Sequence, residues 1–335
     1  MRRRTLIAAA AAAAAALATA LPRAASAQTA QTPATAWPSQ PVKIIVPTGA
    51  GSSLDLIVRL MSDKLAARWG QPVVVDNKPG AGGLVGLDMA AKATDGHTIA
   101  IGFNGPLAYA PFLYAKVPYD PARDLKAIVM TTSQANVLAI NTERVPAKTV
   151  AEFVAWARAQ GGKMNYSSLG QGSSAHLTME LFLAEAGLQA QHVPFNGSPP
   201  AAFAVAQGTA DATFMVAPAL LPHVQSGKVR LLAVSASAKP DSLKDLPSLA
   251  EAGYPKVEAL AWNGLVGPTA MPDSTVARIN ADVNDLLAKD APLREAMAKS
   301  GLSIVGGSAA EFRRFIDADV ARWGPVITRL GVKLN

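Results

Sequence analysis

The sequence of 335 residues contains no cysteine, and this absence excludes several kinds of chemistry. Disulfide bridges cannot form, and neither cysteine-based zinc sites nor thiol catalysis is possible. Histidine is also scarce. Three of the four histidines, His97, His192 and His223, lie far apart in the sequence without the spacing of metal ligands. We therefore predict that the protein has no metal site.

Positive charge is scarcer than the net charge of +7 indicates. Four arginines, at positions 2, 3, 4 and 23, lie in the first 27 residues, which contain no acidic residue, so the remainder carries +3 (7 − 4). No cluster of lysine and arginine resembles a nucleic-acid-binding surface. Beyond the N-terminal segment, no run of residues is apolar enough to span a bilayer. The sequence therefore predicts no nucleic-acid partner and no membrane span after residue 27.

The N-terminal segment has the three parts of a secretory signal. A basic start, Arg2 to Arg4, is followed by an apolar run from Leu6 to Leu21, and Ala25-Ser26-Ala27 forms a cleavage pattern. We predict a signal peptide over 1–27, with cleavage after Ala27 and export to the periplasm. Paired arginines leave open whether export uses the general or the twin-arginine route. Residues 28–38 are predicted to be a disordered tether.

A repeated motif dominates the remaining chain. The pattern G-x-G-S-S-x-x-L occurs at 49–56 and again at 170–177, each time between an apolar strand and a helix. Glycine-rich turns at 80–83 and 196–198 also precede helices. Helix starts present free N–H groups and partial positive charge, so such corners bind anions without lysine. The alternative is that glycine and serine only serve as turn and cap residues here.

Strand and helix patterns alternate along the chain, which is typical of an α/β fold. We predict two three-layer α/β domains with parallel sheets and a ligand cleft between them. The first domain comprises 39–141 plus 259–335, with two amphipathic helices near 272–289 and 309–330 returning to it, and the second comprises 142–258. The chain would cross between the domains near 141 and near 259. In parallel sheets, the four glycine corners would collect along the carboxyl edges.

Collinear motifs resemble one known family. Val46-Pro47, GQPVVVDNKPGAGG (70–83), VPFNG (193–197) and WNGLVGP (262–268) are similar to segments of the Bug/TctC extracytoplasmic solute-binding proteins of tripartite tricarboxylate transporters. The resemblance covers nearly all of the mature chain. It implies a type II periplasmic-binding-protein fold, a small carboxylate ligand, no cofactor, a monomer, and membrane transporter subunits as partners.

In that family, main-chain amides and hydroxyls of the first loop and the GAGG region hold the carboxylate, and two loops of the second domain close over it. Carried onto this chain, the resemblance and the glycine corners give one predicted ligand-binding set. It comprises Thr48, Ala50, Gly51, Ser52, Ser53, Gly82, Gly83, Asn104, Ser168, Gly172, Ser173, Ser174, Phe195, Asn196, Gly197, Met215 and Trp262. Asp55, His176 and Ser198 are predicted to cap helices or support these residues.

Some predicted residues depart from the family pattern or have two possible roles. Phe195-Asn196 stands where Tyr-Lys is usual, and Met215 where an aspartate is common, so the distal pocket has less charge. This favours a mono- or dicarboxylate with an apolar or aromatic body over amino acids or tricarboxylates. Trp262 could line the cleft or pack at the domain crossing, and Met215 is a core residue unless the cleft reaches it.

Two other functions, a dinucleotide-dependent enzyme and a sensor subunit, fit parts of the sequence. GAGGLVG (80–86) is a loose dinucleotide fingerprint, but the next strand ends in Phe103-Asn104 without the acidic residue that would hold a ribose. No G-x-S-x-G nucleophile elbow is present. The sequence therefore favours a binding protein over an enzyme. A ligand-loaded sensor subunit for a membrane signalling protein would use the same site, and the sequence leaves this alternative to uptake open.

Overall fold

A computed structural model describes residues 37–236, 239 and 243–334. The predicted signal peptide and residues 28–36 of the predicted tether lie outside the described residues. Trp37, at the end of that tether, is described: its indole N–H donates to the Gly96 carbonyl at 2.9 Å. Its ring packs edge-on against Trp69, with centroids 5.0 Å apart. Trp37, which the sequence places in the tether, thus packs against the residues that follow it.

The described residues form two β-sheets. In chain order the strands are β1 (Val42–Val46), β2 (Val73–Asn77), β3 (Thr98–Phe103), β4 (Leu125–Ala135), β5 (Val137–Asn141), β6 (Asn165–Ser168), β7 (Gln191–Pro194), β8 (Ala212–Met215), β9 (Val229–Val234), β10 (Leu260–Pro268) and β11 (Ile304–Gly306).

Helices cover both faces of each sheet. In chain order they are α1 (Ser53–Trp69), α2 (Leu84–Ala91), α3 (Ala110–Leu113), α4 (Val150–Ala159), α5 (Ser174–Ala186), α6 (Ser198–Ala206), α7 (Ala217–Gln225), α8 (Asp273–Lys289), α9 (Ala291–Lys299) and α10 (Ala309–Leu330). A 3₁₀ turn (Ala81–Gly83) precedes α2, and a π-helical segment (Gly105–Tyr109) precedes α3. In the part of the chain that the structure describes, no helix is long and apolar enough to cross a membrane.

Helix α1 illustrates how the sequence positions these elements. The apolar stripe predicted from the spacing is buried along its whole length, at Leu54, Ile57, Val58, Met61 and Leu65. The Ser52 hydroxyl accepts a hydrogen bond from the Asp55 N–H at 3.3 Å and so caps the helix start. Gly70, with φ of 66°, ends the helix in the left-handed conformation.

The first sheet has the order β11-β4-β10-β3-β1-β2 and is mixed. Strands β1, β2 and β3 are parallel, as predicted, but β10 runs antiparallel to β3 and β4, and β11 antiparallel to β4. The prediction of a wholly parallel sheet was therefore wrong. Strand β10 returns from the other sheet and enters in the opposite direction, and β4, which was not predicted, lies beside it.

The second sheet has the order β7-β6-β8-β5-β9. Strands β6, β7 and β8 are parallel, and β5 is antiparallel to β8 and β9. Because β4 lies in the first sheet and β5 in the second, the chain crosses at Asn136 rather than near 141, and it returns between Ala259 and Leu260. We define the first lobe as 37–135 and 260–334, and the second lobe as 137–259.

Each lobe has three layers. The first sheet packs on α1, α8 and α9 on one face and on α2 and α10 on the other, while the second packs on α4 and α5 and on α6 and α7. The carboxyl ends of β1 and β2 lead into the corners at 48–53 and 80–83. Those of β6 and β7 lead into the corners at 170–174 and 196–198. The parallel parts of both sheets thus deliver the four corners to strand ends, where α/β proteins bind ligands.

Candidate functional site

The first corner, 48–53, is held by side-chain hydrogen bonds within the first lobe. The hydroxyls of Thr48 and Ser52 lie 2.6 Å apart. The Asp55 carboxylate, 3% exposed, accepts hydrogen bonds from the Gly51 N–H at 2.8 Å and the Asn77 amide at 3.0 Å. Asp55 therefore holds the loop that precedes α1.

Asp55 is also paired with Arg59, whose Nε donates to the carboxylate at 2.9 Å. Burial alone would raise the pKa of Asp55, but hydrogen bonds from Arg59, the Gly51 N–H and Asn77 lower it overall. The carboxylate consequently stays ionised and keeps the corner in place. Both carboxylate oxygens of Asp55 accept hydrogen bonds from protein donors. These donors offset its negative charge, so Asp55 repels an anionic ligand less.

The second corner, 80–83, consists of four consecutive residues with positive φ: 138° at Gly80, 45° at Ala81, 63° at Gly82 and 97° at Gly83. This conformation favours glycine, and Ala81 is the one side-chain-bearing residue that adopts it in the described part of the chain. Within this turn the Gly83 N–H donates to the Gly80 carbonyl at 2.9 Å, and the three glycines allow close approach to the remaining main-chain N–H groups.

In the second lobe, Ser173 caps α5 at the 170–174 corner. Its hydroxyl accepts from the His176 N–H at 3.3 Å and donates to the Gly170 carbonyl at 2.7 Å. The Gly172 N–H donates to His176 Nδ1 at 3.1 Å, which fixes the tautomer of this neutral imidazole. His176 thus holds the Gly172 amide of this corner through its ring.

Three stacked rings lie below this corner. His192 stacks on His176 with centroids 4.0 Å apart and planes at 9°, and on Tyr166 at 4.8 Å and 17°. His192 Nε2 lies 2.7 Å from the Ser168 hydroxyl, which in turn accepts from the Gly170 N–H at 3.2 Å. Burial lowers the pKa of His176 to about 3, with a contribution from His192, and lowers the pKa of His192 to about 4. Both histidines are therefore neutral near pH 7.

The fourth corner begins α6. The structure places its N-cap at Gly197, with φ of 123°, so Ser198 is the first helical residue rather than the predicted cap. The Ser198 hydroxyl instead accepts a long hydrogen bond, 3.5 Å, from the Ser53 N–H of the first lobe. This contact joins the start of α6 to the start of α1 across the cleft.

All four corners surround one cavity between the lobes. Its volume is about 20 Å³, on a scale where a single water needs about 10–15 Å³. No charged side chain is among the described residues that line it. The lining residues are Pro47, Thr48, Pro79, Gly80, Gly82, Gly83, Phe103, Leu169, Gly170, Ser173, Phe195, Asn196 and Gly197.

Part of the predicted ligand-binding set lines this cavity and part does not. The predicted residues that line it are Thr48, Gly82, Gly83, Ser173, Phe195, Asn196 and Gly197. Those that lie in the corners without lining it are Ala50, Gly51, Ser52, Ser53, Gly172 and Ser174, and Ser168 ends β6 two residues before the third corner.

Three predicted residues have other contacts. Asn104 is 1% exposed, and its amide donates to the Leu260 carbonyl at 2.9 Å. Trp262 is likewise 1% exposed, and its indole N–H donates to Asp319 at 2.7 Å, so the structure favours packing over the cleft for this residue. Met215 is fully buried in the apolar core of the second lobe. None of the three lines the corner cavity among the described residues.

Sequence reasoning missed six lining residues. Pro47, Pro79, Gly80, Leu169 and Gly170 directly precede or belong to the predicted corners, so widening each corner by one residue would have found them. Phe103 ends β3, and its ring approaches positions where side chains at Gly83 and Gly105 would stand. The position of Phe103 at the carboxyl end of a parallel strand was the available signal.

A family model described as the tripartite tricarboxylate transporter family receptor matches residues 57–332. The chain belongs to this receptor family. Members are periplasmic solute-binding receptors, not enzymes, so the dinucleotide-dependent alternative is excluded and the predicted binding protein is confirmed.

Individual relatives agree with this assignment. BugT of Bordetella pertussis is 32% identical over 301 residues, which cover 89% of this receptor and 92% of BugT. Rpa4515 of R. palustris, solved with adipate, is 31% identical with a TM-score of 0.85, covering 89% of this receptor and 100% of that chain. MatC from Rhodopseudomonas palustris, solved with malate, is 27% identical with a TM-score of 0.82, covering 87% and 99%. The predicted two-domain binding-protein fold is thereby confirmed.

Proposed function

We propose that this receptor captures a small mono- or dicarboxylate in the periplasm by closure of its two lobes and delivers it to the membrane subunits of a transporter. The proposal rests on one observation: four glycine- and serine-rich corners, two from each lobe, surround a single cavity without charged side chains. Relatives solved with adipate and malate support a carboxylate as the ligand class.

Main-chain donors are the groups available for the carboxylate. The Gly51 and Gly172 amides are already bonded to Asp55 and His176, so they hold the corners rather than the ligand. The Gly83 N–H is likewise bonded to the Gly80 carbonyl at 2.9 Å. We assign the ligand charge to the other N–H groups of the 80–83 turn and to the Asn196 amide, because this turn and Asn196 line the cavity. Each hydrogen bond to a charged acceptor contributes about 1.5–3 kcal/mol, so four or five are consistent with micromolar affinity, about −8 kcal/mol.

The remaining lining favours an apolar or aromatic ligand body. Phe103 from the first lobe and Phe195 from the second line the same cavity, together with Leu169. A ligand ammonium group would lack an acidic partner among the described lining residues, and burying it unpaired would cost several kcal/mol. Amino acids are therefore disfavoured, and so are tricarboxylates, because the described lining has no cationic side chain to pair with their additional carboxylates. In this proposal the receptor is a monomer after its signal peptide is removed at Ala27.

A thermal-shift screen of mono-, di- and tricarboxylates and amino acids on the mature protein tests this function. A ligand at 100 times its Kd adds about 2.7 kcal/mol, which corresponds to a rise in Tm of several degrees. Asn196→Ala should weaken the best ligand about tenfold or more, since one charged hydrogen bond is lost. Gln207→Ala removes an exposed side-chain amide at the far end of α6 and should leave affinity unchanged.

Two outcomes would contradict the proposal. An amino acid or citrate as the tightest ligand would refute the assigned ligand class. If Asn196→Ala and Gln207→Ala bind the best carboxylate equally well, the cavity between the corners is not the binding site.

A further inference from the structure

The dipeptide Asn-Gly occurs three times in the chain, at Asn104-Gly105, Asn196-Gly197 and Asn263-Gly264. This dipeptide is especially prone to deamidation, because glycine has no side chain to hinder attack by its main-chain nitrogen on the preceding side-chain amide. The attack also requires that the amide and the backbone are free to rearrange. The folded structure therefore decides which of the three pairs can react.

Two of the pairs are held in the core of the first lobe. Asn104 is 1% exposed, and its amide donates to the Leu260 carbonyl at 2.9 Å. Asn263 is 2% exposed, and its side-chain oxygen accepts from the hydroxyls of Thr131 at 2.9 Å and Thr132 at 2.8 Å. These amides cannot turn toward the next nitrogen without breaking packing and hydrogen bonds together.

Asn196 is in the opposite situation. Its side chain is exposed, and no residue in the described ranges forms a hydrogen bond with its amide. The next residue, Gly197, has φ of 123° and ψ of 171° and starts α6 without a side-chain cap. One main-chain bond restrains the reacting nitrogen, because the Gly197 N–H donates to the Leu169 carbonyl at 3.1 Å. Local opening of that single bond frees the nitrogen of this pair, whereas the other two pairs require disruption of the core.

We propose that Asn196-Gly197 is a modification site at which the folded receptor deamidates spontaneously, and that the product weakens carboxylate binding. The Gly197 nitrogen gives up its proton and bonds to the side-chain carbonyl carbon of Asn196. The carbon–nitrogen bond of the side-chain amide breaks, and its nitrogen leaves as ammonia. Water then adds to either carbonyl of the resulting succinimide, which gives aspartate or isoaspartate at position 196. Water is the only co-reactant, and no electrons are transferred to or from the protein.

The effect of this modification on binding rests on the proposed function. Asn196 lines the cavity between the corners, and no charged side chain is among the described residues that line it. Deamidation replaces a neutral donor at this position with a carboxylate, which repels a carboxylate ligand and cannot donate to it. Loss of one hydrogen bond to a charged ligand already corresponds to about tenfold weaker binding. The modified receptor should therefore lose at least that much affinity.

Peptide mass spectrometry after incubation at mildly alkaline pH measures the reaction at all three pairs in one sample. The exchange of NH₂ for OH identifies each product, and the two buried pairs are internal controls. In the folded protein Asn196 should react at least about tenfold faster than Asn104 and Asn263, because local opening costs less than opening of the core. In guanidinium chloride all three should react at similar rates, since the dipeptide is the same and the fold is lost. Equal rates at the three pairs in the folded protein, or reaction of Asn196 only after denaturation, would overturn the inference.

Calorimetry with the tightest carboxylate from the thermal-shift screen tests the effect on binding. Anion exchange separates the deamidated receptor, which carries an additional negative charge, and Asn196→Asp supplies one product directly. Both should bind about tenfold or more weakly than the unmodified receptor. Gln207→Glu adds the same charge at the far end of α6 and should leave affinity unchanged. Equal affinity of the deamidated and unmodified receptors would refute the effect on binding. If the unmodified receptor binds no carboxylate, the proposed function fails instead, and the peptide masses still decide whether Asn196 is modified.

Discussion

The stacked pair His176 and His192 makes the stability of this receptor depend on pH in a defined range. Both rings are buried beneath the 170–174 corner, and both act in the neutral form: His176 Nδ1 accepts the Gly172 N–H, and His192 contacts the Ser168 hydroxyl. Protonation would place two like charges 4.0 Å apart and would remove the acceptor at His176. The folded state therefore resists protonation of either ring.

The sign and size of this pH dependence follow from the histidine pKa values in the folded and unfolded states. In the unfolded chain a histidine titrates near 6.5, whereas in the folded receptor burial lowers the pKa of His176 to about 3 and that of His192 to about 4. Below pH 6.5 the unfolded chain binds protons that the folded chain does not, so the free energy of unfolding falls with pH. From pH 7.5 to 5.0 we expect a loss of roughly 2 kcal/mol per histidine.

Urea unfolding, followed by circular dichroism at steps between pH 7.5 and 5.0, measures this loss. This range lies above the usual titration of carboxylates, so the histidines dominate it. His176→Gln and His192→Gln should each remove about half of the pH dependence, whatever their effect at pH 7.5. A flat stability profile in the unsubstituted receptor, or an unchanged slope in both variants, would refute the reasoning.

Two further substitutions test the supports of the site and of the domain crossing. Asp55→Ala leaves the Gly51 N–H and the other groups that donate to Asp55 unpaired. It should lower the free energy of unfolding by about 3 kcal/mol and weaken carboxylate binding. Asp63→Ala, exposed on the same helix, should change neither the stability nor the affinity much. Trp262→Phe removes the donor to the half-buried Asp319 carboxylate. It should lower the free energy of unfolding measured in urea by about 1–3 kcal/mol without altering ligand affinity. A marked loss of affinity would show that Trp262 belongs to the binding site.

The predicted elements that the structure confirms are those with strong local signals. Helices α5 and α10 have the predicted bounds because a serine cap and a terminal glycine mark both ends of each. Strand β4 was missed because LKAIVMTTSQA, buried along most of its length, lacks the alternation that marks a strand facing solvent on one side. The antiparallel placement of β10 follows from the chain returning from the other lobe, and no local pattern encodes that direction.

The four corners were predictable for the same local reason, but the hydrogen-bond partners of their amides were not. Ser52 and Ser173 were recognisable as helix caps from their positions just before the helices. In the structure, each hydroxyl accepts a hydrogen bond from the N–H three residues later. Whether a corner amide is free for a ligand depends on contacts between distant segments, such as the bond from Asn77 to Asp55 and the contact of His192 with Ser168. Such pairing is set by tertiary packing, which composition and periodicity do not report.

In the proposed function, separate groups support the corners and bind the ligand, so a site without charged side chains could hold an anion. The ionised Asp55 and the neutral His176 accept hydrogen bonds from loop amides, which hold the corners in place without a ligand. Preorganised dipoles of this kind need little reordering when the ligand arrives, and that lowers the entropic cost of binding.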